Sequence, residues 1–168
     1  MKLVVAAIVL SCLTAGTKCD LESGWKGIRV FETTRTEVER ILGSPTESDD
    51  VEARYESKEA IVSVLYSAEP CSAPKTLTGG FKVRQDTVLE YDVVPKGDLR
   101  LKDLDWDKQL YERHAELHVV NMAGYYNRRD GIRLTSKTQG ADKTEFVTSI
   151  YFERTPEQES RFGCKSVK

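Results

Sequence analysis

Residues 34–66 read TRTEVERILGSPTESDDVEARYESKEAIVSVLY, and the change of period inside this stretch decides the fold class. Thr34 and Glu37 stand three apart. At that spacing a threonine side chain accepts from the amide of the glutamate while the carboxylate reaches back to the threonine amide, which satisfies two donors that have no helical partner. Val38, Ile41 and Leu42 then share one face, and Gly43 with Pro45 supplies a cap and a stop, so the spacing predicts one short amphipathic helix. From Val51 the apolar period drops to two, through Ala53 and Tyr55. After the polar turn Ser57-Lys58-Glu59 the run from Ile61 to Tyr66 is nearly all apolar. Two paired strands are therefore predicted after the helix.

Further along, Ala68 to Gly80 carries Pro70, Pro74, Gly79 and Gly80 and reads as a loop. Thr87 to Val94 resumes alternation up to Pro95-Lys96-Gly97, and Leu99 and Leu101 keep the alternation going past that break. Asp103 to Leu117 has mixed spacing that suits a helix or an ordered loop. Gly124 to Asn127 and Ile132 to Thr135 flank Asp130-Gly131, a pair that tolerates positive φ in a tight hairpin. A last strand from Phe146 to Phe152 follows a turn at residues 139–143, which makes a three-stranded antiparallel meander. The predicted architecture is α+β: one short capped helix packed on an antiparallel sheet of about six strands. Both halves of the chain share an order, helix then strands and unassigned segment then strands.

Before this domain, Met1-Lys2, the apolar run Leu3 to Leu13 and the small residues Thr14 to Thr17 have the layout of a cleavable export signal over residues 1–17. The run is shorter than the roughly 20 apolar residues a membrane span requires. Cleavage after Gly16 or Thr17 would leave residues 18–168 as a single domain, exported to the periplasm or the exterior. Four cysteines then divide by compartment: Cys12 falls in the signal, and Cys19, Cys71 and Cys164 remain. Cys71 and Cys164 each sit in a loop-like stretch beside a strand and are the expected disulfide, leaving Cys19 as the spare. A lipid anchor on Cys19 or Cys12 is the less favoured alternative, since Lys18 stands where a small residue is wanted before Cys19 and the apolar run before Cys12 is short.

At Arg35-Thr36-Glu37-Val38-Glu39-Arg40-Ile41-Leu42-Gly43-Ser44-Pro45, the order of Thr, Val and Leu-Gly-x-Pro leading into an aromatic-bearing strand resembles the helix-to-sheet unit of small bacterial envelope modules. These are the outer-membrane assembly lipoproteins and the β-lactamase-inhibitor-like proteins. The chain as a whole resembles uncharacterised secreted bacterial proteins, through Trp25, the stretch Tyr66 to Cys71, Tyr125-Tyr126-Asn127 and the terminal cysteine. The resemblance implies a bacterial envelope setting and binding to protein.

A net charge of −2, with lysines and arginines dispersed, argues against nucleic acid as a partner. Asp103, Asp105 and Asp107 open like a calcium loop. Its sixth place, however, is Lys108 where glycine is wanted, and its twelfth is His114 where a glutamate should close the site. His114 and His118, four apart, would share a helix face with Glu116 near them and are the weak candidates for a metal. No Gly-x-Ser-x-Gly elbow, Cys-x-x-Cys pair or P-loop is written in the chain, and Glu37 and Glu39 point apart on a helix. Of the aromatics, only the adjacent Tyr125-Tyr126 must send one ring to each face of a strand, which makes this pair a candidate interface element. The reading is an exported non-catalytic binding module for an envelope or secreted protein, monomeric and without a cofactor. A small-ligand or metal-binding carrier is the first alternative and a secreted hydrolase the second.

Overall fold

The computed structural model describes residues 19–72, 78–115 and 121–164. In chain order these form β1 (Cys19–Asp20), α1 (Arg35–Leu42), β2 (Glu47–Ser48), β3 (Glu52–Glu56), β4 (Ala60–Tyr66) and β5 (Val88–Pro95). There follow β6 (Leu104–Asp105), β7 (Glu112–Ala115), β8 (Met122–Asn127), β9 (Ile132–Gln139), β10 (Thr144–Phe152) and α2 (Pro156–Phe162). Eight strands make one antiparallel sheet in the order β2-β3-β4-β5-β10-β9-β8-β7. Two four-stranded meanders, β2–β5 and β7–β10, thus meet where β10 lies against β5. β1 and β6 pair in parallel outside this sheet.

The α+β class and the Cys71–Cys164 disulfide agree with the sequence reading, while the count of elements differs. The sheet has eight strands rather than about six: β2 is a two-residue edge, and β7 lies inside the segment expected to be helix or loop. That segment is divided among short 3-10 turns at Leu101–Asp103 and Lys108–Leu110, β6 and β7, so no single period runs through it. Leu99 and Leu101 do not extend β5. The strand ends at Pro95, whose ring leaves no N–H for a ladder, and the Leu99 carbonyl instead accepts from the Val147 amide of β10 at 2.8 Å. A second helix, α2, adds to the one that the sequence predicts. Its box is complete: the Gln158 amide donates to the Thr155 hydroxyl at 3.2 Å, the Thr155 amide donates to Gln158 Oε1 at 2.9 Å, and Pro156 holds the first turn.

α1 begins where the capping pattern predicts, with the Glu37 carboxylate accepting from the amide and the hydroxyl of Thr34 at 2.8 Å each. Those hydrogen bonds hold the Glu37 carboxyl below its ordinary range. Arg35 latches the helix start to the sheet. Its guanidinium donates to Asp86 and to the carbonyls of Asp49 and Asp50, and lies 4.3 Å from the centroid of the Tyr66 ring. Under that ring, the buried hydroxyls of Tyr66 and Tyr55 meet at 2.9 Å.

The main core takes the inward positions of both meanders, among them Val62, Val64, Tyr91, Val93, Leu134 and Ile150, with Trp25, Ile28 and Val38 from the N-terminal segment. Tyr91 organises its centre: the hydroxyl accepts from the Trp25 amide at 3.0 Å and donates to the Ile28 carbonyl at 2.7 Å, and the ring stacks on Phe152 at 4.4 Å. Gly24 makes this approach feasible, since it holds φ at 82° and a Cβ there would lie 2.0 Å from the Ile28 oxygen. A smaller cluster gathers Phe31, Phe81, Val83 and Leu89, with Phe162 of α2 against it. One bulge separates the two clusters. Leu65 pairs with Glu90 but Tyr66 with Val88, so Leu89 is an extra residue on β5; Val88 joins the main core and Leu89 the smaller one.

The disulfide fastens this smaller cluster. Cys71 and Cys164 have Cα atoms 5.8 Å apart, and around them the Lys82 amide donates to the Phe162 carbonyl and the Cys164 amide to that of Gly80. With the cysteines 93 positions apart in the chain, the bond removes about 4–5 kcal/mol of unfolded-chain entropy in the chain-entropy account. No helix among the described residues is long and apolar enough to cross a membrane.

Two outcomes are expected in urea denaturation. Replacing both cysteines by serine lowers the unfolding free energy by about 2–5 kcal/mol. Tyr91→Phe leaves a buried amide and a buried carbonyl without their partner and lowers it by about 1–3 kcal/mol.

Candidate binding face

Strand alternation sends every second residue away from the core, and the pairing registers decide which of these stand side by side. In β4, Ala60, Val62, Val64 and Tyr66 are buried, while Ile61, Ser63 and Leu65 turn outward. Ser63 is opposite Arg54, which is opposite Glu47; on its other side Ser63 is opposite Asp92. Asp92 is opposite Tyr151, Tyr151 opposite Arg133, Arg133 opposite Tyr126, and Tyr126 opposite Glu112. A single row of eight outward positions, Glu47-Arg54-Ser63-Asp92-Tyr151-Arg133-Tyr126-Glu112, therefore crosses all eight strands. Each of its members is half-buried or exposed. Val94, among the described residues the one large apolar side chain that is exposed, lies on the same face.

The centre of the row is ordered by charge over aromatic rings. The Arg133 guanidinium lies 4.7 Å from the Tyr151 centroid and 5.9 Å from that of Tyr126. The Tyr151 phenol is pushed well above its ordinary range, first by burial and then by its hydrogen bond to Glu90. Glu90 in turn pairs with the well-covered Arg154 at 3.2 Å. Burial raises the Asp92 carboxyl above the ordinary aspartate value, and Arg133 and the Val93 amide offset this only in part. Beside Asp92 the face sinks into an open groove of about 570 Å³, bounded by Glu47, Asp49 and Glu52 on one side and by Glu90 and Tyr151 on the other.

The structure separates the two tyrosines flagged in the sequence as the strand period requires. Tyr125 is buried on the core side, donating to Glu145 at 2.9 Å and accepting from Arg113 at 3.2 Å, with Trp106 edge-on at 5.3 Å. Tyr126 belongs to the outward row. His114 is not on a helix; it stands on β7, half exposed, 5.1 Å edge-on from the Tyr126 ring. The premise of two imidazoles sharing a helix face therefore fails at His114, and His118 lies outside the described residues. Asp103 pairs with Arg100 at 2.7 Å, Asp105 is the β6 partner of Asp20, and Asp107 caps a 3-10 turn, so the three carboxylates serve separate local ends. Among the described residues no three His, Cys, Asp or Glu side chains converge as metal ligands.

Asp92 and Arg133 are absent from the sequence-based candidates, and Tyr151 stands there only as one of several strand aromatics, without the distinction given to Tyr125-Tyr126. Alternation in β5 places Glu90 and Asp92 on one face, but only the β5–β10 register shows what lies across from them.

A carboxyl whose folded pKa exceeds its unfolded value binds its proton more tightly in the folded state. Folding therefore loses stability as pH rises from the ordinary aspartate value of 3.8 through the raised one. Asp92→Asn is expected to unfold at higher urea than the parent at neutral pH, with the advantage vanishing below about pH 3. Comparison of the chain with family models, with characterised proteins and with solved structures finds no match.

Proposed function

We propose that the protein is an exported, non-catalytic binding module that engages another envelope or secreted protein through the outward face of its sheet. The observation that carries this reading is the eight-strand row centred on Tyr151, Arg133 and Tyr126. Tyrosine and arginine are the residue types that contribute most when a partner excludes water from them, and here the sheet holds them in one plane. Asp92 supports it further: burial holds its carboxyl above the ordinary aspartate range, which leaves it a charge that a cationic partner would compensate. The layout of residues 1–17 supports export, and a Cys71–Cys164 disulfide is compatible with an oxidising compartment. The Leu42-Gly43-Ser44-Pro45 resemblance to small envelope modules points the same way.

The test places a photo-cross-linking residue at Ser63, at Thr135, or at Glu157 on α2, in the native host. Expected is one adduct of defined mass from Ser63 and Thr135, none from Glu157, and a loss of about tenfold or more on Arg133→Ala, the size of a hot-spot truncation. No adduct from the face positions, or equal adducts from Glu157, overturns the reading. So does turnover of a small substrate that a single polar substitution abolishes.

A further inference from the structure

The groove on this face has a floor and two walls with distinct chemistry. Its floor is β4, where Leu65 offers a half-buried apolar surface. Glu52 of β3 is opposite Leu65 on one side and Glu90 of β5 on the other. Two strand spacings separate these carboxylates at the backbone, roughly 9.5 Å. Asp92 stands one outward position along from Glu90, and Tyr151 closes the far side. Five carboxylates line the groove against one guanidinium, that of Arg54. Arg154 compensates Glu90 from its edge, whereas Glu52 and Glu47 make no ion pair among the described residues.

Long basic side chains match such a slot because they are amphipathic. The aliphatic stem covers apolar surface while the charged head reaches carboxylates beyond it. A stem laid over Leu65 would carry its head between Glu52 and Asp92, with the Tyr151 ring alongside. We propose that the groove receives an anchoring lysine or arginine side chain from an extended segment of the partner protein, aligned along β4. This rests on the reading of the outward face as an interaction surface and adds the charge of what docks there. Negative walls also hasten encounter with a basic segment and repel an acidic one, so the anchor contributes selectivity as well as affinity.

Fluorescence anisotropy with labelled hexa-arginine, hexacitrulline and hexaglutamate peptides tests it on the full chain at low ionic strength. Expected is binding of hexa-arginine alone, weakened about tenfold in Glu52→Gln/Asp92→Asn. The double variant Glu39→Gln/Glu157→Gln, which changes net charge equally but lies off the face, is expected to bind like the parent. Equal weakening in both double variants shows a field of the whole molecule and overturns the proposal, as does equal binding of hexacitrulline. If hexa-arginine does not bind while Ser63 still cross-links a partner, the interaction surface stands and the basic anchor is wrong. If both fail, both fall.

Discussion

One phenol hydroxyl ties together parts of the chain that would otherwise have no reason to meet. Tyr91 sits in the middle of β5, the strand at which the two meanders join, and its hydroxyl closes two hydrogen bonds to the Trp25–Ile28 segment. Its ring lies on Phe152 of β10, so the same side chain spans the junction between the meanders. Burial makes the arrangement demanding, because an amide and a carbonyl away from water must find a partner or lose stability. Turning Tyr91 inward also turns its neighbours outward. The position of Asp92 on the open face, opposite Tyr151, is thus a by-product of how the core is closed.

The outward face is organised more by sideways pairing than by any local motif. β3, β4 and β5 supply the groove and most of its carboxylates, while β9 supplies Arg133 and Lys137, so charge changes sign across the sheet. Tyr125 and Tyr126 show how completely the strand period divides roles between neighbours. One buries its ring and links Arg113 to Glu145 through its hydroxyl, and the other flanks the guanidinium of Arg133.

Legibility followed range. α1, the hairpin at Asp130-Gly131 and the alternation of β3 and β5 rest on contacts within a few residues, and each is readable from the chain, whereas β4 reads as a nearly continuous apolar run and its outward positions show only in the sheet. In that hairpin Gly131 holds φ at 68°, and a Cβ would lie 2.1 Å from the Glu153 oxygen. The Cys71–Cys164 pairing is legible from context, since both flanks lack periodicity and Cys19 lies beside the expected export signal. α2 had a written signal in Thr155-Pro156-Glu157-Gln158, but no buried residue and no apolar stripe accompany it. β7 was hidden because turns and two-residue strands interrupt the segment before it. The face is legible along β3 and β5 and illegible across strands, because the register of β5 against β10 is set by a core that only the folded chain assembles.

The extra residue at Leu89 makes β5 a strand whose length counts in units of parity. Val88 before it and the inward positions from Tyr91 onward go to the main core, Leu89 itself goes to the smaller, disulfide-fastened cluster, and the residues between face outward. Substitutions at Glu90 or Asp92 can retune the face one position at a time without disturbing this count. Loss or gain of a single residue within β5 cannot be absorbed so locally, because it would exchange inside for outside along one arm of the strand. Variation by substitution is therefore open to this face, and variation by insertion or deletion is confined to the loops around it.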